Sequence, residues 1–158
     1  MIAPICLAVI FLQVGSPEVG TPTNVIPEQA RSNRVVTPEA RIFAVARPAV
    51  VTVRCGGSKG SGFLIDAQGL IVTNDHVINS GEAVQVRRMD GRLYAAQVLA
   101  RDSKADVAVI RANPVVFEGV APLPLAGPED DPPFEGERLV VIGSPLNQEF
   151  IVTSGIVS

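Results

Sequence analysis

A single histidine, His76, stands among the 158 residues, at the end of Leu70-Ile71-Val72-Thr73-Asn74-Asp75-His76-Val77-Ile78. Imidazole is the side chain whose ordinary titration falls near neutral pH, so His76 is the candidate general base. Its candidate partner is Asp106, which opens the otherwise apolar run Val107 to Ile110. A carboxylate there is costly unless donors surround it. Holding an imidazole N–H is one such use, and capping a turn is the bland one. Asp102 nearby reads as the turn-former, and Asp75 is assigned no role.

A nucleophile is harder to find. Gly56-Gly57-Ser58-Lys59-Gly60 matches G-x-S-x-G, but a nucleophile elbow sits between a strand and a helix, with its acid and then its histidine downstream. Here a strand-like run follows, and His76 precedes Asp106, so the glycines read as a loop. Ser61, Ser144, Ser154 and Ser158 lie in or beside strand-like runs, and none reads as the attacking group. Cys55 closes the apolar run Ala49 to Arg54 and reads as a buried, inert thiol. The two cysteines form no CxxC and no Cys/His metal spacing, so no metal or other cofactor is expected.

The elements that must position His76 and Asp106 are short. AVVTVRC, SGFLID, GLIVTN, AVQVRR, RLYAAQVLA and DVAVIRA are β-branched runs separated by turn signals, and Asp90-Gly91 between two of them predicts a hairpin. Six such runs predict an antiparallel barrel or sandwich. Hydrophobic residues make up 47% of the chain and aromatics only 4%, without Trp, so Val, Ile, Leu and Ala must build the core. Ahead of the strands, Thr37-Pro38-Glu39-Ala40 predicts a helix start, ending near Ala46 because Pro48 disfavours helical geometry at Arg47. Residues 16–38 read as a flexible linker. The apolar segment Ile2 to Val14 has the length of a signal-peptide core and is too short for a membrane-spanning helix, which needs about 20 residues. Residues 1–15 are therefore read as a signal peptide, with no stable membrane span. A net charge of −3 without a basic run argues against a nucleic-acid partner.

Four blocks resemble the HtrA/Deg family of trypsin-like serine proteases. They are Gly60 to Asp66 (GSGFLID), Gly69 to Ile78 (GLIVTNDHVI), Asp102 to Ile110 (DSKADVAVI), and Val141 to Leu146 followed by Val152 to Ser158. Their order and spacing fit the family over residues 39–158. The resemblance implies an all-β, trypsin-like double barrel, with 39–146 as a nearly complete first barrel and 147–158 as the start of a truncated second one. It implies His76 as general base and Asp106 as its orienting partner in a Ser-His-Asp endopeptidase acting on unfolded or misfolded polypeptides. Export to the bacterial periplasm or envelope and a trimer-based homo-oligomer are further implications.

The family's Gly-Asn-Ser-Gly-Gly, which carries the nucleophile, is absent from the sequence. The chain also stops in a strand-like run, so it is expected to be a fragment, inactive alone. A short pseudoprotease that binds unfolded chains without cutting them is the alternative. A non-catalytic β-barrel adaptor is a third, and it predicts that His76 and Asp106 lie apart.

Overall fold

The computed structural model describes residues 9–10, 36–127, 130, 132–143 and 151–158. The signal-peptide and linker assignments fall almost entirely outside them. Within the first segment only Val9–Ile10 (β1) is described, as a strand pairing antiparallel with Val140 and Val141.

The helix forms where its caps predict it, as α1 (Pro38–Ala46), with the Thr37 hydroxyl accepting from the Ala40 N–H at 3.2 Å. A 3-10 turn at Arg47–Ala49 follows. Six strands then close an antiparallel barrel in the order β2-β3-β4-β7-β6-β5: β2 (Val50–Cys55), β3 (Ser58–Leu64), β4 (Leu70–Thr73), β5 (Val84–Arg87), β6 (Leu93–Asp102) and β7 (Val107–Ala112). The alternation of β7 shows why the sequence folds this way. Ala108, Ile110 and Ala112 point into the core while Val107 and Arg111 face out, as a two-residue side-chain period requires. Val51, Val53, Leu64, Ile71, Val86 and Ile110 are all fully buried. This core is aliphatic, as the scarcity of aromatics demands.

The turns do what their residues predict. Gly56-Gly57 joins β2 to β3 with Cys55 paired to Ser58, so the G-x-S-x-G sequence is a hairpin and no helix follows it. Asp90-Gly91 turns β5 into β6, with the Arg92 N–H donating to Asp90 Oδ1 at 3.0 Å. Gly69 is the stringent turn position. Its φ is +81°, and a Cβ there would stand 2.3 Å from the Ala112 carbonyl oxygen, the carbonyl of a residue whose own N–H donates to Gly69 O at 3.1 Å. Gly69→Ala therefore destabilises the barrel by about 1–3 kcal/mol, read as a fall in the urea midpoint; a loss below about 0.5 kcal/mol, the range of neutral surface changes, would contradict this contact.

Beyond the barrel, β8 (Arg138–Gly143) and β9 (Ile151–Ile156) form a second sheet with β1. The sequence reading counted residues 138–143 with the first barrel. They pair instead with β9 along their whole length, Arg138 with Ile156 through Gly143 with Ile151, so the closed barrel ends at Ala112. The two parts still share a core, because Val140 and Ile142 are buried in the same apolar cluster as the barrel's interior. An ion pair between Arg138 and Glu39 ties β8 to α1. The all-β class and a barrel followed by part of a second one agree with the sequence expectation; the first barrel is closed where a nearly complete one is expected, and the second sheet has three strands where one is expected.

Candidate active site

His76 and Asp106 meet at one end of the barrel. β4 ends at Thr73, and the chain enters a 3-10 turn at Asp75–Ile78 with Asn74 as its N-cap residue. Val77 and Ile78 are buried, which plants the turn on the core and leaves His76 at its outer face. Asp106 arrives from the neighbouring hairpin between β6 and β7. There Asp102 Oδ1 accepts from the N–H groups of Lys104 and Ala105, at 2.9 and 3.1 Å, confirming it as the turn-former.

The two side chains are in direct contact, with His76 Nδ1 2.7 Å from Asp106 Oδ2. Asp106 Oδ1 accepts from the backbone N–H of His76 at 3.0 Å. The Asn74 amide donates to both Asp106 Oδ2 and the Asp106 carbonyl, each at 3.1 Å. The carboxylate thus receives three donors. The His76 backbone N–H is the foremost of the groups that hold the Asp106 carboxyl below the usual carboxylate range, followed by the imidazole and Asn74. An ionised Asp106 accepts, so Nδ1 carries the proton and Nε2 is left as the basic atom of the ring. The two side chains are 37% and 44% exposed, so the dyad opens to a face where a reacting group can approach. The adaptor reading, which requires His76 and Asp106 to be apart, fails on this geometry.

Asp106 also carries a backbone signature. Its φ of +53° is the only positive value among the described non-glycine residues. The left-handed conformation is uncommon outside glycine, though Asp adopts it more readily than most residues, and strain held there persists where the surroundings fix it. Here three donors fix the side chain and Asn74 fixes the carbonyl. The sequence reading missed Asn74 as a partner of Asp106, and it assigned nothing to Asp75. Asp75 is 4% exposed, and its carboxylate accepts from Arg101 Nε at 2.5 Å and from the Ser103 hydroxyl at 2.8 Å. The bond from Arg101 is the leading cause that holds the Asp75 carboxyl low. Between polar Asn74 and His76, the sequence around Asp75 offers no local signal for its burial.

Both carboxyls are depressed in the folded state relative to about 3.9 in an unfolded chain. The stability they contribute is present above that value and is lost as pH falls through their lower folded values. The thermal midpoint is therefore expected to be flat above about pH 5 and to decline below about pH 4, with a shallower decline for Asp106→Asn. An identical acid slope in the variant would show that Asp106 contributes nothing to it.

The other chemical candidates stay apart from this site. Cys55 is fully buried, within 2.9 Å of the Ser80 hydroxyl and 3.2 Å of the Glu82 carbonyl, so it is a packed thiol. Ser58 and Ser61 lie within β3, and Ser61 is buried. Ser154 and Ser158 lie in or just after β9, and Ser144 lies outside the described residues. Among the described residues, no three His, Cys, Asp or Glu side chains are grouped to hold a metal ion, and no helix is long and apolar enough to cross a membrane.

Comparison with known proteins gives a consistent picture. Residues 60–158 match the family model described as a trypsin-like peptidase domain. Serine protease HTRA1 of Xenopus tropicalis is 42% identical over 101 residues, covering 64% of this chain and 21% of that protein. Serine endoprotease DegS of Escherichia coli K12 is 34% identical over 136 residues, 77% of this chain and 37% of that protein. The crystal structure of the serine endoprotease from Yersinia pestis superposes with a TM-score of 0.67 at 30% identity, covering 79% of this chain and 46% of that one. The chain thus spans about a fifth of the length of HTRA1 and under half of the solved endoprotease.

Proposed function

Because this chain belongs to the trypsin-like peptidases of the HtrA/Deg kind, we propose that its barrel supplies the general base and orienting carboxylate of a serine endopeptidase. The observation that carries the reading is the 2.7 Å contact of His76 Nδ1 with Asp106 Oδ2. A serine hydroxyl placed against Nε2 gives up its proton there as its oxygen attacks the scissile carbonyl. His76, now imidazolium, returns the proton to the leaving amine, and water then repeats the cycle on the acyl-enzyme. Asp106 keeps the imidazole in the productive tautomer and balances the imidazolium charge. Backbone N–H groups beside the serine hold the oxyanion.

None of the 158 residues forms the Gly-Asn-Ser-Gly-Gly that would supply that serine and those donors. The polypeptide Met1–Ser158 is accordingly proposed to be inactive by itself, with the nucleophile encoded downstream. The substrate class is unfolded or misfolded polypeptide, and the compartment is the bacterial envelope; both rest on likeness to the family. Assembly of the complete enzyme as a trimer-based oligomer rests on the same likeness.

The test is to read the coding DNA in frame beyond the Ser158 codon and to assay both products on casein. The reading expects Gly-Asn-Ser-Gly-Gly within some tens of codons, hydrolysis by the longer product that His76→Ala abolishes, and none by Met1–Ser158. Casein turnover by Met1–Ser158 that is lost in His76→Ala would refute the dependence on a downstream serine. A genuine stop codon, confirmed by the intact mass of the native protein, would replace the reading with binding without cleavage.

A further inference from the structure

Asn74, Asp75 and His76 are consecutive, and all three bond to one short stretch of the neighbouring hairpin, residues 101–106. Asn74 and His76 donate to Asp106. Asp75 runs the opposite way and receives two donors from that hairpin, Arg101 and Ser103. Each turn thus gives the other a carboxylate. Arg101 reaches further, because its Nη2 donates to Asn79 Oδ1 at 3.1 Å, and Asn79 is the residue that ends the His76 turn. One guanidinium therefore holds that turn at both its first residue and its end.

We propose that Asp75, clamped by Arg101 and Ser103, is a positioning residue that locks the His76 turn onto the Asp106 hairpin and so preassembles the imidazole–carboxylate contact before substrate arrives. The inference rests on the reading of His76 and Asp106 as a catalytic pair and adds a residue that touches neither the substrate nor the imidazole–carboxylate bond. Physically, a buried carboxylate must be paired to be tolerated. Asp75 is satisfied only when Arg101 and Ser103 sit where they do. Those residues flank Asp102, whose turn delivers Asp106 in its left-handed conformation. Without the clamp the two turns are held only by the bonds of Asn74 and His76 to Asp106, and the 2.7 Å contact loses the support that fixes their relative position.

Because His76 is the only histidine, its ring nitrogens are read without assignment in a long-range proton–nitrogen spectrum of the 15N-labelled full chain. The ratio of the Nδ1–H to the Nε2–H tautomer of neutral imidazole reports the contact directly, and a merely stabilising residue would leave it unmoved while the fold persists. Asp75→Ala is expected to lower that ratio at least about fivefold, the scale of losing a charge-assisted hydrogen bond. Asp75→Asn, which keeps an acceptor for Arg101, falls less, and Ser103→Ala least. An unchanged ratio in Asp75→Ala, with a native amide spectrum, overturns the proposal. Should Asp75→Ala not fold, unchanged ratios in both Asp75→Asn and Ser103→Ala overturn it equally. A wild-type ring that is already Nε2–H marks a different failure, since the catalytic pair itself is then absent and the clamp has nothing to position.

Discussion

Replacing Asp106 by Asn lowers kcat by about four orders of magnitude in a chain that joins this barrel to its nucleophile, the effect known for the equivalent change in the chymotrypsin-like template. The cause is visible in the donor count. The Asp106 carboxylate accepts from His76 Nδ1, the His76 backbone and Asn74. An amide can present its NH2 to Nδ1, which then accepts, and the proton moves to Nε2. Nε2 is the atom that must take the proton from serine, so the base is blocked while the imidazole stays in place, and only the Asn74 bond to that carboxylate oxygen is lost. The loss should fall on kcat with KM little changed, because the carboxylate contacts Nδ1, across the ring from the Nε2 that meets the serine. Casein or peptide hydrolysis at neutral pH checks this; a loss below tenfold would mean that His76 works without its partner.

The second large effect concerns the barrel that carries the pair. Ile110 is fully buried on β7, and its backbone pairs with Ile71 on β4, which is also fully buried. Ile110→Ala removes three carbons from a site enclosed on all sides, and the cost is about 2–5 kcal/mol. With a urea dependence of about 1–3 kcal/mol per molar for a domain of this size, the midpoint should drop by roughly a molar or more. Val107, on the same strand and 40% exposed, provides the contrast. Val107→Ala should cost well under half as much, since the atoms it removes are already partly in water. Equal losses at the two positions would mean that the side-chain alternation along β7 does not set the core.

Much of this was legible because period-two patterning and turn chemistry are local. The six β-branched runs each became a barrel strand within a few residues of their sequence limits, Asp90-Gly91 became its hairpin, and Thr37 capped its helix. His76 and Asp106 were legible as chemistry because a polar group at the end of an apolar strand must have a partner. The assignment of 138–143 to the first barrel failed for a physical reason. An apolar β-branched run states that it is a strand, but its pairing partner is chosen by tertiary packing, and here β9 takes both the register and the edge.

Asn74 and Asp75 were hidden in the same way, since their partners lie 26–32 positions along the chain. Nothing local distinguishes a buried, clamped aspartate from an exposed one that caps a turn. The left-handed Asp106 had no signal at all. Asp tolerates that conformation better than most residues, but only the surrounding donors require it.

The central claim is that His76 is a base held in one tautomer by Asp106, and the nitrogen spectrum of the lone histidine in the wild-type chain tests it most directly. The account predicts a neutral ring protonated at Nδ1, with its proton in hydrogen bond to Asp106, and a switch to Nε2–H in Asp106→Asn. A wild-type ring protonated at Nε2, unaltered by Asp106→Asn, would contradict it.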